Sequence, residues 1–204
     1  MRLPHASGAR NDINEEETMK KNFFIATIAL ALSTLACSIF VGGPSYPSTP
    51  IPVSTDAAQS LHDQVQQAAT AGAQSGTISL KITESQLTSY LANYLSSQPN
   101  PLITNPQVVL QNGQMQIFGQ AQQGMFTANV SITMQVGVDA NGQPQITITQ
   151  ADFGPLPAPQ GLNDAVSSLI QQAYTGSLGP AATGFRLESI SIADGAMTVS
   201  GRVK

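Results

Sequence analysis

A stretch of strict alternation between apolar and polar residues constrains the fold of this chain more than any other feature of its sequence. Between positions 126 and 138 every second residue is apolar, and mainly Thr, Asn, Ser and Gln lie between them. A period of two is typical of a β-strand with one buried face, and this strand exceeds the usual five or six residues. The chain is therefore expected to build a sheet around an alternating set that comprises Phe126, Ala128, Val130, Ile132, Met134, Val136 and Val138.

Turn signals divide the rest of the chain into short strands. The pairs Asn112-Gly113 and Asp194-Gly195 favour two-residue hairpins, because both turn positions in such hairpins need positive φ. A change of phase between residues 185–187 and 190–192 predicts a β-bulge near Glu188. Since short turns join nearly all neighbours, the sheet should be mainly antiparallel.

Two amphipathic helices are predicted beside these strands. A capping box from Thr83 to Gln86 begins the first helix, and Leu91 lies centrally on its apolar stripe. The second helix covers residues 162–174. The predicted fold class is α+β, with a curved antiparallel sheet and both helices packed on one face. The hairpins at 108–119 and 190–201 share one pattern, and each follows a helix, which suggests an internal helix-hairpin duplication.

Cys37 is the only cysteine of the chain and follows an apolar run that begins after Lys20 and Lys21. A basic start, an apolar centre and a small residue before the break are typical of a secretion signal. The triplet Leu35-Ala36-Cys37 resembles the lipid-attachment site of bacterial lipoproteins, which implies a lipid on Cys37. The sequence departs from the usual motif, which has Leu three positions before the cysteine, where this chain has Thr34.

Two alternatives to lipidation remain at this point. Residues 23–41 are uncharged and close to the length of a bilayer span, so they also fit an uncleaved anchor. Ordinary cleaved secretion is the other alternative, and all three place the folded part outside the cytoplasm. The expected organisation is an upstream extension with a mistaken start (1–18), a signal peptide (19–36), a lipidated cysteine with a Pro/Ser tether and an Ala/Gln-rich segment (37–76), and one domain (77–204).

Composition excludes several classes of function. After the signal region the basic residues are few, which argues against nucleic acid as a partner. His62 is the only histidine there and lies outside the core pattern, so a Ser-His-Asp site is not expected. Metal-ligand spacings and phosphate loops are also missing from the sequence. We expect neither catalysis nor a cofactor.

A long sheet with helices on one face can enclose an elongated apolar groove. The alternative is that the same side chains fill an ordinary core, and methionines suit either use. The candidate lining residues are Leu91, Met115, Phe118, Phe126, Val130, Met134 and Ile148.

Residues 83–91 (TESQLTSYL) and 153–157 (FGPLP), together with the hairpin signals, resemble small envelope proteins of the LmeA, YpmS and YceB type. The resemblance covers residues 77–203 through loose motifs, and Thr88 stands where relatives often carry Asn. It implies a tubular lipid-binding (TULIP-like) architecture and, from some members, phospholipid binding. The expected function is that of a lipoprotein on the extracytoplasmic side of the cell membrane, which binds a lipid or another apolar ligand. The alternative is a structural or interaction lipoprotein with a filled core, whose protein partner the sequence does not identify.

Overall fold

The computed structural model describes residues 38–158 and 184–203, with positions 160, 166 and 168 between them. The chain divides into two compact units, residues 1–39 and 40–204, and the second unit contains the features described below. Cys37 and the apolar run before it lie outside the described residues. The helix predicted at 162–174 also lies almost wholly outside them, although Val166 is described and is buried.

The described elements form two sheets and two helices. The larger sheet (sheet A) has β5 at its centre, with β4 and then β3 on one side and β1 and β6 on the other. The smaller sheet (sheet B) has the order β2-β8-β7. The α+β class is confirmed, and five strand pairs are antiparallel: β2 with β8, β3 with β4, β4 with β5, β5 with β6, and β7 with β8. The elements are β1 (Ile39–Phe40), α1 (Thr55–Ser75), β2 (Thr77–Thr83), α2 (Glu84–Ser96), β3 (Thr104–Gln111), β4 (Gln114–Gln123), β5 (Phe126–Val138), β6 (Pro144–Asp152), β7 (Phe185–Ala193) and β8 (Ala196–Val203).

The two hairpin signals and the bulge are confirmed. Asn112 and Gly113 have φ of 53° and 74°, and Asp194 and Gly195 have φ of 50° and 73°, as a turn with two left-handed positions requires. The pairing of β7 with β8 shifts register between Leu187 and Ser189, which places the bulge where the phase of the sequence changes.

Helix α2 covers the free edge of sheet A. The capping box predicted at its start is present. Thr88 Oγ1 accepts a hydrogen bond from the Val108 N–H at 2.9 Å, and Glu84 Oε1 accepts one from the Leu110 N–H at 2.7 Å. Because β3 is an edge strand, its outward N–H groups would otherwise lack partners. Thr88 therefore satisfies a backbone N–H of β3 that faces away from the rest of sheet A.

The compact unit includes segments that the sequence analysis placed outside the folded domain. Helix α1 runs for 21 residues between its N-cap Ser54 and its C-cap Gly76, and it buries Leu61 and Val65. It packs against α2 and β2. The helical spacing of Leu61 and Val65 in this Ala- and Gln-rich stretch predicts a short helix, and the observed helix covers the whole stretch. The larger compact unit begins at Phe40.

The two faces of sheet A differ in chemistry. On the inner face, Val130 and Met134 are fully buried, together with Leu110 of β3, and they belong to one core with Leu91 of α2. On the outer face of β5 lie Thr127, Asn129, Ser131 and Thr133, which pair with Gln122, Gln120, Phe118 and Gln116 of β4. The names inner face and outer face are used below in this sense.

Candidate functional site

Five of the predicted groove residues come together at the inner face. Met134 stands between Met115 of β4 and Ile148 of β6 in the strand register. Leu91, Val130 and Met134 are buried, whereas Met115 and Ile148 are half-buried at the margin of the same core. Side chains from three neighbouring strands thus form an apolar patch at the margin of the core, where they are half-buried.

The prediction that Phe118 belongs to this set is wrong. Phe118 pairs with Ser131 and therefore lies on the outer face, since successive residues of a strand point to opposite sides. Ile117, its neighbour, takes the inward position opposite Ile132. Two adjacent apolar residues left the direction of this strand ambiguous in the sequence, and a shift of one residue reverses the face.

Phe126 also departs from the predicted groove. It has the inward phase of β5, but it is the first residue of the strand and remains 44% exposed. It therefore lies beyond the part of the inner face that the core covers.

Residues 40–54 are called here the N-terminal segment, and contacts of this segment with the outer face explain the burial of Phe118. The rings of Tyr46 and Phe118 have their centroids 6.1 Å apart. The Gln107 side chain accepts a hydrogen bond from the Ile51 N–H and donates one to the Ile51 carbonyl at 3.0 Å. This two-point pairing fixes the proline-rich segment to β3.

The segment approaches β5 very closely at Gly43. The Val41 N–H donates to the Thr127 carbonyl, and the Asn129 N–H donates to the Gly42 carbonyl, each at 2.9 Å. A Cβ atom at Gly43 would lie 2.1 Å from the Asn129 carbonyl oxygen, and φ there is 117°. Only glycine fits such a position, so the sequence at Gly43 determines how the segment crosses the strand.

An open pocket of about 500 Å³ lies between the segment and the outer face. The amides in its lining form a ladder, called here the amide ladder. Asn105 Nδ2 donates to Gln120 Oε1 at 3.0 Å, and Gln120 Nε2 donates to Asn129 Oδ1 at 3.4 Å. Two aromatic residues complete the outer pocket, which is lined by Phe40, Tyr46, Asn105, Gln120 and Asn129.

Backbone geometry places Asn105 and Tyr46 in this pocket. Asn105 has φ of 49°, within an irregularity of β3 between Thr104 and Gln107. Such irregularities redirect side chains, and Asn tolerates the left-handed region better than most residues. The Tyr46 hydroxyl donates to the Asn105 carbonyl at 3.1 Å, and burial raises the pKa of Tyr46 to about 12.

Within residues 38–158 and 184–203, no group of three or more His, Cys, Asp or Glu side chains is placed to hold a metal ion. In the same part of the chain, no helix has the length and apolar character needed to cross a bilayer.

The outer pocket was not predicted from the sequence. Its amides occupy outward strand positions, where polar residues are ordinary, and its aromatic residues come from a segment that was expected to be a tether. One signal was available, because Phe40 and Tyr46 are large aromatic residues in a stretch otherwise rich in Pro, Ser and Gly.

Comparison with known proteins identifies neither a family nor a ligand for this chain. No family model matches the chain, and no curated protein matches it. One solved structure that resembles it is described as a lipopolysaccharide binding protein, with 12% sequence identity and a TM-score of 0.22. The match covers 63% of this chain and 49% of that one, so the chain spans about half the length of that protein. A likeness at this TM-score supports no conclusion about a ligand.

Proposed function

We propose that this protein is a membrane-tethered module of a bacterial cell envelope that binds a lipid or another apolar ligand without catalysing a reaction. The observation that carries the proposal is the half-buried apolar patch around Met115 and Ile148. Contiguous apolar surface that a core does not close over is typical of binding sites. The unbranched side chain of methionine adapts to ligands of irregular shape.

The two described helices, α1 and α2, pack chiefly on each other, on β2 and on β3. Within the described residues, several apolar side chains of the inner face toward β6 are half-buried. An acyl chain lying along β5 and β6 would extend the closed core outward from Met134. The residues available to contact it are Met115, Ile117, Val136, Ile146 and Ile148.

The second candidate is a structural or interaction lipoprotein with a filled core. It is favoured by the complete burial of Leu110, Val130 and Met134, which leaves no accessible surface at the centre of the inner face. The two candidates differ in whether a ligand covers the patch at the β6 side. They share the same fold and the same anchoring.

Lipid binding can be tested with a pair of neighbouring substitutions on opposite faces. Ile148→Gln places an amide in the apolar patch, whereas Thr147→Gln places the same amide at an exposed position facing the other side. The full chain would be isolated in mild detergent, and bound lipid would be detected by native mass spectrometry and by uptake of a fluorescent phospholipid. We expect wild type and Thr147→Gln to bind and Ile148→Gln to lose most of the signal.

Two outcomes would contradict this proposal. Wild-type protein that carries no lipid and takes up no phospholipid would favour the filled core. Equal binding by all three proteins would place the ligand away from the patch.

The anchor has its own test. The single cysteine at the end of an apolar run supports lipidation of Cys37, so Cys37→Ala should release the domain from membranes or leave an unprocessed precursor. An alkynyl fatty acid fed to cells should label wild type and not the variant. If wild type and Cys37→Ala both associate with membranes and neither is labelled, the apolar run is an uncleaved anchor and Cys37 carries no lipid.

A further inference from the structure

We propose that the outer pocket is a second binding site, which takes a neutral glycan. The site lies on the face of sheet A opposite the apolar patch, and it shares no residue with that patch. Saccharide binding at the outer pocket is therefore independent of lipid binding at the apolar patch.

The amide ladder has a direction that suits hydroxyl groups. Each amide donates to the next, from Asn105 through Gln120 to Asn129. In the described contacts this leaves Asn105 Oδ1 as an acceptor at one end and Asn129 Nδ2 as a donor at the other. A side-chain amide can bond a neighbouring hydroxyl through its oxygen or through its N–H groups. Adjacent sugar hydroxyls both donate and accept, so the two ends of the ladder can bind them without any proton transfer.

The aromatic residues supply the apolar half of the site. Phe40 is 57% exposed at the pocket, and Tyr46 is partly buried beside it. Flat rings offer a large apolar surface, and a tyrosine adds a polar tip. A pyranose ring has an apolar C–H face as well as hydroxyl edges, so it can pack on Phe40 while its hydroxyls reach the amides.

The charge of the lining selects neutral ligands. None of the five lining residues is ionised at neutral pH, since the pKa of Tyr46 is raised to about 12. Phosphate and carboxylate ligands are usually held by Arg or Lys through charge-assisted hydrogen bonds. Their absence from the described lining argues against an anionic ligand, and the pocket volume of about 500 Å³ suits a small saccharide.

The site is also held in place before any ligand arrives. Tyr46 contacts the Phe118 ring and bonds the Asn105 carbonyl. Gly42 and Gly43 fix the segment that carries Phe40 and Tyr46 against β5. A ligand would then lose little free energy in ordering the protein, which favours binding of small molecules.

The experiment measures saccharide binding by the full chain in detergent, using saturation-transfer NMR with cellobiose and N,N′-diacetylchitobiose. Gln120→Met removes the central amide at nearly constant size. Gln122→Met makes the same change at an exposed position of the same strand and face, outside the pocket lining. We expect the dissociation constant to rise at least tenfold for Gln120→Met and to stay unchanged for Gln122→Met.

A second pair of substitutions distinguishes loss of binding from misfolding. Phe40→Ser alters an exposed side chain of the pocket, and Phe126→Ser alters an exposed phenylalanine outside the lining. We expect only Phe40→Ser to weaken binding, with both variants folded by circular dichroism. Phosphatidylcholine vesicles with and without glucosyl-diacylglycerol then test a saccharide carried by a lipid. Binding of a free disaccharide, or stronger binding to the vesicles that contain the glycolipid, supports the proposal. If neither disaccharide binds wild type and the glycolipid does not increase vesicle binding, or if Gln120→Met binds as wild type does, the proposal is overturned.

Discussion

The two faces of sheet A are built from the same strands and meet different demands. On the inner face, large apolar side chains such as Val130 and Met134 are excluded from water by packing alone. On the outer face, Phe118 and Gln107 are buried under the N-terminal segment, which is held by hydrogen bonds to β3 and β5. Burial by packing tolerates no polar atom without a partner, whereas burial under a hydrogen-bonded segment brings polar groups into fixed positions.

This difference explains where each candidate site occurs. The apolar patch lies where the described inner-face side chains are half-buried. The outer pocket lies where the covering segment leaves the amides of Gln120 and Asn129 accessible. A strand face that is polar in sequence can thus carry a candidate site, as the apolar face behind it does.

Placing a charge on the inner face should produce the largest effect on folding. The effect should differ between Met134 and its cross-strand neighbour Met115. Met134→Arg puts a guanidinium where no surface is exposed, at a cost of several kcal/mol, and we expect no folded protein. Met115→Arg changes the cross-strand neighbour, which is half-buried, so its long side chain can reach water. Circular dichroism and thermal melting of both variants provide the measurement. A folded Met134→Arg would show that the inner face opens to solvent at its centre.

A medium effect is expected where α2 meets the edge of the sheet. Thr88→Val removes the acceptor of the buried Val108 N–H and should lower the free energy of unfolding by about 1–3 kcal/mol. Thr149→Val makes the same change at an exposed hydroxyl of β6 and should change it by less than about 0.5 kcal/mol. Urea midpoints give the comparison. Equal midpoints for the two variants would mean that water or another donor-acceptor pair replaces the Thr88 contact.

The smallest effect concerns pH and the outer face. Burial raises the pKa of Tyr46 from 10.0 to about 12, so its neutral form is favoured in the folded chain. The resulting stabilisation is fully present below about pH 10 and is lost as the pH rises through about 12. We expect absorbance titration to show one phenol ionising late and Tyr46→Phe to remove that step. Late ionisation that persists in the variant would assign the shift to another of the four tyrosines of the chain.

Local patterns predicted the strands and turns correctly. The alternation that defines β5 and the two hairpin turns depend on sequence-local rules, and the structure places them within a few residues of the expected positions. The face of Phe118 could not be predicted, because Ile117 and Phe118 are both apolar and only pairing with β5 decides which one points inward.

The outer pocket was beyond sequence reasoning for a different physical reason. Its residues come from the N-terminal segment, β3, β4 and β5, and only tertiary packing brings them together. Asn105 gives one example, because its side chain reaches Gln120 only through an irregularity in β3. Prolines in residues 44–52 suggested a free spacer, while the decisive contacts of that segment involve the backbone of Ile51 and glycines 42 and 43.

The attachment of the N-terminal segment to sheet A limits the distance between the module and Cys37. Only Ser38 and Ile39 stand between Cys37 and Phe40, the first residue of the larger unit. Three extended residue steps span at most about 11 Å. With a lipid on Cys37, as we propose, this short linker would keep the module at the bilayer surface. There it would encounter membrane-borne ligands by lateral diffusion, at a high effective concentration. Encounter in two dimensions would then favour even weakly bound ligands, provided that the same membrane carries them.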